Sequence, residues 1–466
     1  MKRITAFFNI KNLSPLKFFL ITATLFGLIF ILITPPFEAP DEPVHFFRSY
    51  QVSQLNLSVD KVGNTYGGSL PQSLQDTVAE TWDKPALAFH PNYKYPIGDT
   101  KAAFSIRTTN KQRVYDFSTT AYYSPVSYIP QATGVGIARL LHLPAIMMMY
   151  LGRLVNLTAW IMMFGFAIYL IPRRKWLLAF IGLIPMALFQ AASLSADVMA
   201  VGLLALLLAW ILKLMGSQNK LSIKQITGLV LLIAAVSLSK QIMFIFIPLI
   251  LLLPRSLFAN RNRGYVLKAT MAIVPLILFG LWSMHVHGIP QSNSVGGIDP
   301  IGQEKYVLHH PIKYGITFIN TYFFSWGDGI VKSFIGNFGW VDTPLAEVFV
   351  LIGYLAMFVL AFGNYQSAKI WLTRQQKLLV GAIALIYIMG LSAALYVYFT
   401  PVGFKIIVGL VGRYYFPVAL LAIPLTYGSW LRVSQRAYKR VAIWAPIFLL
   451  ICSTVTIFVR YYINNV

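Results

Sequence analysis

Cysteine is nearly missing from this chain. Cys452 is the only one in 466 residues, which excludes an internal disulfide and any cysteine-based metal site. Charge is scarce as well: charged residues make up 11%, where a soluble domain carries about 25%. Acid is scarcest, with 15 Asp and Glu against 38 Lys and Arg. The period-2 alternation of a membrane β-barrel is not there. Neither is a Walker A loop, a GxSxG elbow or an HExxH pair, so the sequence announces none of the chemistries those signatures carry. No repeat, low-complexity tract or linker marks off a separate soluble domain.

What is there is apolar. Such residues make up 57% of the chain and the mean hydropathy is +0.66. Runs of about 20 apolar residues recur from end to end, so bilayer is the solvent for most of the protein. The fold class that follows is an all-α polytopic membrane protein, a single transmembrane domain over 1–466. The first run, 16–34, follows Lys2, Arg3, Lys11 and Lys17 and ends in ITPPFEAP. It reads as a retained helix with its N-terminus inside, not as a cleaved signal.

The net charge of +23 can suggest nucleic acid, but its distribution points elsewhere. The basic residues cluster in short loops beside apolar runs: Arg173–Lys175, Lys213–Lys224, Arg255–Lys268, Lys369–Lys377 and Arg432–Arg440. This is the positive-inside pattern, with attraction to anionic lipid added. A full crossing at 121–143 would put Arg173–Lys175 outside; if that segment stays on the outer side, every cluster falls inside. The predicted topology therefore has about 11 transmembrane helices, within a range of about 10–13. They lie near 16–34, 144–171, 176–192, 195–215, 222–238, 240–254, 266–285, 345–363, 378–398, 409–431 and 440–461. Two outer regions remain, 35–143 and 286–344, containing juxtamembrane helices. The connections at 192–195 and 238–240 are short enough to be breaks within hairpins.

On this topology none of the acidic residues lies in a cytoplasmic loop. Nine are Glu38, Asp41, Glu42, Asp60, Asp76, Glu80, Asp83, Asp99 and Asp116, all in the first outer region; the others are Asp197, Asp299, Glu304, Asp328, Asp342 and Glu347. Chemistry is expected on that side. The densest stretch is EAPDEPVHFFRSYQ, 38–51. Prolines 35, 36, 40 and 43 end the first helix and stiffen the exit. Asp41 then reads as a helix cap and Glu42 as first turn, with His45 and Ser49 near Glu42 on one face and Arg48 close to His45. A carboxylate here can serve as general base or metal ligand; the plain alternative is an ordinary cap with a solvated acidic turn.

Isolated polar groups within apolar runs form the second signal. Arg153 and Asn156 lie in GRLVNL, with Arg153 roughly 13 Å deep at about 1.5 Å per residue. Asp197, Lys240 and Arg413, the last followed by Tyr414, sit near predicted outer ends. Such charges mark a cavity or a partner unless they snorkel. Their shared placement in the outer half argues for one polar site. The segment 119–141, with Tyr122, Tyr123 and Pro125, reads as an interfacial or re-entrant helix walling a groove open to lipid, or else as an aromatic belt. Weaker signals are His285 with His287 as a metal pair, His309 with His310, the turn at Gly296–Gly297, and TYFFSWGD, 321–328, as a sugar or lipid contact or an interface anchor.

PPFEAPDEPVHFFRSYQVSQ at 35–54, YYSPVSYIPQATG at 122–134, GRLVNL at 152–157, FQAASLSAD at 189–197, SLSKQIM at 237–243 and VGRYYFP at 411–417 together resemble the bacterial membrane family called domain of unknown function 2142. That family looks like a branch of the GT-C superfamily of polytopic glycosyltransferases. The resemblance implies a GT-C-like fold in the bacterial cytoplasmic (inner) membrane, with the site on its outer face. It implies transfer of a sugar from a polyprenyl-phosphate-linked donor to an envelope glycan or other acceptor. Asp41 is the position that matches the superfamily's catalytic acid, with Glu38 and Glu42 as alternates. Arg153, Lys240 and Arg413 match its phosphate-binding cations, and His45, Arg48, Tyr123, Asn156, Asp197 and Tyr414 complete the expected binding set. YSPV stands where the superfamily's more usual loop is HPPL-like, so a histidine role there is not carried over. No cofactor is demanded by the sequence, and a divalent metal on the three carboxylates stays open. The expected partners are the lipid-linked donor, the glycan acceptor and the bilayer, without nucleic acid. Two other readings remain: a transporter or flippase of lipid-linked sugars, which would favour midplane charges on broken helices in related halves, and a non-catalytic subunit of an envelope-polymer assembly.

Overall fold

The structure is a computed structural model describing residues 13–63, 65–258, 260–289, 297–364, 372–426 and 431–463. Lys2, Arg3, Lys11, Gly296 and Lys369, which enter the sequence expectations, lie outside the described residues.

The helices of the bundle, in order, are α1 (Pro15–Ile33), α2 (Glu42–Ser53), α3 (Ile129–Leu140), α4 (Ala145–Leu170), α5 (Lys175–Gly182), α6 (Pro185–Ala191), α7 (Asp197–Met215), α8 (Ile223–Ser239), α9 (Arg261–His285), α10 (Pro300–His309), α11 (Pro311–Asn320), α12 (Gly327–Gly336), α13 (Glu347–Phe362), α14 (Arg374–Phe399), α15 (Phe416–Leu425) and α16 (Gln435–Tyr462). A 3₁₀ segment, Gln241–Leu252, follows α8. Local signals set many of these ends. Ser14 accepts from the Lys17 amide at 3.2 Å, and Ser222 with Gln225 and Thr373 with Gln376 form capping boxes.

Among the described residues six helices are long and apolar enough to cross a membrane: α1, α4, α7, α9 (from Asn262), α14 and α16. The other apolar runs are shorter or broken. The run 176–192 splits into α5 and α6 because Pro185 holds Ile184 extended. The run 240–254 is the 3₁₀ segment, with Pro248 inside it. The run 409–431 gives a 3₁₀ turn at Gly412–Tyr415 and the ten-residue α15. Burial ranks the long helices: 78% of α7's apolar window is buried and only 17% of α9's, so α7 is central and α9 peripheral. α4 packs against α1, α3 and α7. Gly134 makes the α3–α4 approach possible, since a Cβ there would meet the Leu151 carbonyl oxygen at 2.3 Å.

The segment between α1 and α4 has its own core. An antiparallel sheet, β1 (Asp60–Val62), β2 (Thr65–Pro71) and β3 (Gln112–Asp116) in that order, packs with α2, α3 and the start of α4. Phe37, Phe46, Phe47, Leu70, Tyr115, Phe117 and Ile146 are buried between them. The segment 119–141, expected as one interfacial helix, is a 3₁₀ turn at Pro125–Tyr128 running into α3. Its inner face is buried, while Ile129, Ile137 and Leu140 are exposed.

Candidate functional site

The loop between α1 and α2 is where the site starts. Pro35, Pro36 and Pro40 restrict it, and two non-glycine residues, Phe37 (φ 63°) and Asp41 (φ 61°), take the left-handed conformation. That conformation costs roughly 1–2 kcal/mol for an L-residue and persists only where packing enforces it. Phe37 is fully buried against Phe46, ring centroids 5.4 Å apart. Asp41 is the residue before α2, as expected, but its side chain makes no capping hydrogen bond; its backbone hand turns the carboxylate away from the helix start.

Arg153 locks this loop to the bundle. It is fully buried on α4. Its Nε donates to Glu42 Oε1 at 2.8 Å and its Nη2 to Glu42 Oε2 at 2.6 Å, while Nη1 and Nη2 reach the carbonyls of Thr34 (2.9 Å) and Pro35 (3.0 Å). The Thr34 carbonyl is left over where proline ends α1, while the Pro35 carbonyl also accepts the Glu38 amide at 3.3 Å. Glu42 Oε1 also accepts the Leu194 amide at 3.0 Å. One guanidinium therefore ties together the end of α1, the start of α2 and the α6–α7 turn.

The α6–α7 turn carries Asp197. Asn156 Nδ2 donates to the carbonyls of Ser193 (2.7 Å) and Ser195 (3.2 Å), and Gln131 Nε2 to Ser195 (2.9 Å). Asp197 forms a close ion pair with Lys240. Lys240 is extended, with φ −152° and ψ 151°, between α8 and the 3₁₀ segment. Two side chains fix that bend from outside: Ser124 donates to the Leu238 carbonyl at 2.8 Å and Ser127 to the Ser239 carbonyl. The Lys240 ammonium lies 5.3 Å from the ring centroids of both Tyr123 and Tyr414. Arg413 completes the group. Its Nε is 3.7 Å from Asp197 Oδ2, its Nη2 is 3.4 Å from Asp41 Oδ2, and its guanidinium lies over Tyr414 at 5.3 Å. Behind Asp197 and Arg413 is a niche with room for about one water, lined also by Trp160 and Phe416. The buried amide of Gln190 opens onto it with neither polar atom hydrogen-bonded.

His45 lies beside this cluster. Its ring is stacked near Tyr123, centroids 6.4 Å apart, and Nδ1 is 2.8 Å from the Tyr128 hydroxyl. Burial pulls its pKa down to about 4, with Lys240 and Arg413 acting in the same direction and Asp41 and Asp197 opposing, so the imidazole is neutral at pH 7. Glu38 is fully buried elsewhere, 3.3 Å from the Tyr461 hydroxyl. Burial first, and then Asp342, push its carboxyl up to about 8, which keeps it protonated at neutral pH. Next to it Arg460 clasps Asp342 (3.0 Å) and the carbonyls of Leu87 and Tyr93, joining α16 to the α1–α4 segment and to the α12–α13 turn.

The structure thus brings Asp41, His45, Tyr123, Asp197, Lys240, Arg413 and Tyr414 together from five separate stretches of chain. It does not place the other candidates there. Glu42 has both oxygens committed to Arg153, and Glu38 is sealed under Tyr461; neither can take a proton from a substrate, and Asp41, 53% exposed at its side chain, is the accessible carboxylate of the three. Arg48 instead bonds Gln51 and the Leu57 carbonyl and holds the outer region. Arg153 and Asn156 support the site from behind. Among the described residues no group of three or more His, Cys, Asp or Glu is arranged to hold a metal ion. Tyr128, Tyr387 (hydroxyl to the Tyr414 carbonyl, 2.9 Å), Gln190 and Arg460 were not foreseen. Arg460 carried a usable signal, an isolated charge in the last apolar run; the tyrosines and Gln190 are indistinguishable in sequence from ordinary core and interface residues.

Fold and site together describe a polytopic all-α membrane protein with an ionic pocket at the end of the bundle where the segment between α1 and α4 packs. A family model described as "Predicted membrane protein (DUF2142)" matches residues 24–422, and the chain belongs to that family. No curated protein and no solved structure matches it.

Proposed function

We propose that the protein is a GT-C-type glycosyltransferase that moves a sugar from a polyprenyl-phosphate donor to an envelope glycan or similar acceptor. It would act on the outer face of the bacterial inner membrane, with the chain crossing about 11 times. The observation that carries this reading is the position of an accessible carboxylate, Asp41, 3.4 Å from a buried guanidinium, Arg413, that is backed by Lys240. Glycosyl transfer needs that pairing. The acceptor hydroxyl attacks the anomeric carbon and its proton passes to Asp41. The bond from that carbon to the donor phosphate oxygen breaks, and the electron pair leaves on the phosphate. Arg413 and Lys240 stabilise the charge that develops there. Neutral His45 and the Tyr123 and Tyr414 rings would border the sugar. Nucleotide sugars are cytoplasmic, so an outer-face transferase needs a donor already on lipid.

The test is transfer of label from a lipid-linked sugar to acceptor by purified protein. Asp41→Asn should lower the rate by about 10²–10⁴, the range of general-base catalysis, with expression unchanged. A variant rate near that of the wild type removes Asp41 from the role. Movement of label across the bilayer without transfer would favour a flippase instead.

A further inference from the structure

Beside the ionic cluster lies a second, larger cavity of about 190 Å³. It forms where the β1–β2 hairpin meets the outer end of α9. Trp282 and Tyr66 supply aromatic surface; Lys61, His285 and His287 supply cationic or proton-donating groups; Ala121 contributes to one wall. None of the residues lining it is acidic. The nearest carboxylate in sequence, Asp60, accepts from Asn56 Nδ2 at 3.1 Å. The Trp282 indole N–H is already committed to the Tyr122 carbonyl at 2.9 Å, so the ring body is what it offers a ligand. Lys61 lies 5.5 Å from the Tyr66 centroid and His285 is tilted against Trp282 at 5.5 Å. Drug-sized pockets run to about 300–1,000 Å³; this one is the size for a single sugar ring. Aromatic walls suit the apolar face of such a ring, and the Lys61 ammonium with the imidazole N–H groups suits a negative substituent on it.

One turn of backbone separates this cavity from the ionic cluster. The Tyr122 carbonyl accepts from Trp282 and from Gln241 Nε2 (3.1 Å) on the cavity side. The next residue, Tyr123, lies under Lys240 and beside His45. Lys240 and Gln241, also adjacent, divide the same way.

We propose that this cavity binds an anionic sugar unit of the acceptor, carboxylated or phosphorylated, one or two units back from the hydroxyl presented to Asp41. The assignment as acceptor subsite rests on the transfer reading above; the binding itself does not. The experiment uses full-length Asp41→Asn protein in neutral-lipid nanodiscs without donor, titrated with a galacturonate trisaccharide and with maltotriose. The acidic trisaccharide should bind and maltotriose should bind at least tenfold more weakly. Adding Lys61→Ala and His287→Ala, both at exposed positions, should weaken acidic binding at least tenfold. Equal binding of the two sugars, no binding of the acidic one, or no effect of the two substitutions overturns the proposal. So does loss of the sugar when phosphatidylglycerol is placed in the nanodisc, since a lipid headgroup would then be the occupant. A protein that binds the acidic trisaccharide but transfers nothing in the wild-type form overturns the transferase reading and leaves the site standing.

Discussion

At the scale of single residues, the proposed chemistry depends on which carboxylate is left free. Glu38, Asp41 and Glu42 lie within five positions yet meet three different fates: sealed and protonated, accessible, and locked in an ion pair. Sequence placed the acids in one short run and could not separate them, because the separation comes from Tyr461 and Arg153, residues far away in the chain. Arg153 and Glu42 are both fully buried, so removing either alone leaves an uncompensated charge, at a cost of about 3–5 kcal/mol. Arg153→Met combined with Glu42→Leu should recover only part of that. The Thr34 carbonyl loses its donor in the pair, and such a buried acceptor costs about 1–3 kcal/mol. A thermal-melt double-mutant cycle in detergent checks this; additive single losses would show that the two side chains do not act together.

At the scale of elements, the site is built from interruptions. Each charge of the cluster stands where a helix starts, ends or breaks: Asp41 before α2, Asp197 opening α7, Lys240 between α8 and the 3₁₀ segment, Arg413 in the turn before α15. Apolar runs and prolines made most of these boundaries legible, and the isolated charges flagged the right positions. The side chains that hold the turns were not legible, since hydrogen bonds such as Ser127 to Ser239 join segments more than a hundred residues apart. Asn156 was read as a contact for substrate and proves to be a brace for the turn bearing Asp197. Asn156→Leu strips the Ser193 carbonyl of its donor and leaves the Ser195 carbonyl to Gln131 alone, a loss of about 1–3 kcal/mol. It should reduce transfer at least tenfold while the protein still purifies as wild type, and Asp197→Asn added to it should cost less than Asp197→Asn alone. Full activity in Asn156→Leu would deny the brace any part in the site.

At the scale of the whole molecule, distant stretches are fastened by ionisable groups, which makes stability depend on pH with a calculable sign. Glu38 holds its proton up to about 8 in the folded chain against an ordinary value of 4.5. Its contribution is therefore complete below about 4.5 and is lost as pH rises to about 8, at up to about 1.4 kcal/mol per pH unit. His45 works the other way: its folded value of about 4 lies below the ordinary 6.5, so its contribution is complete above about 6.5 and lost as pH falls towards 4. Between pH 6.5 and 8 the slope isolates Glu38. Melting temperatures over that interval should fall for the wild type and stay nearly flat for Glu38→Gln; equal slopes would mean that Glu38 ionises freely. The membrane class of the fold could be read from hydropathy alone, whereas the grip of α16 on the α1–α4 segment through Arg460 required coordinates, because it links residues about 370 apart. The same long reach has a consequence for biosynthesis. Asp41 leaves the ribosome 372 residues ahead of Arg413, so a nascent chain must carry the acid through the insertion machinery long before its cationic partner exists, and the proposed activity can begin only once Arg413 has been made.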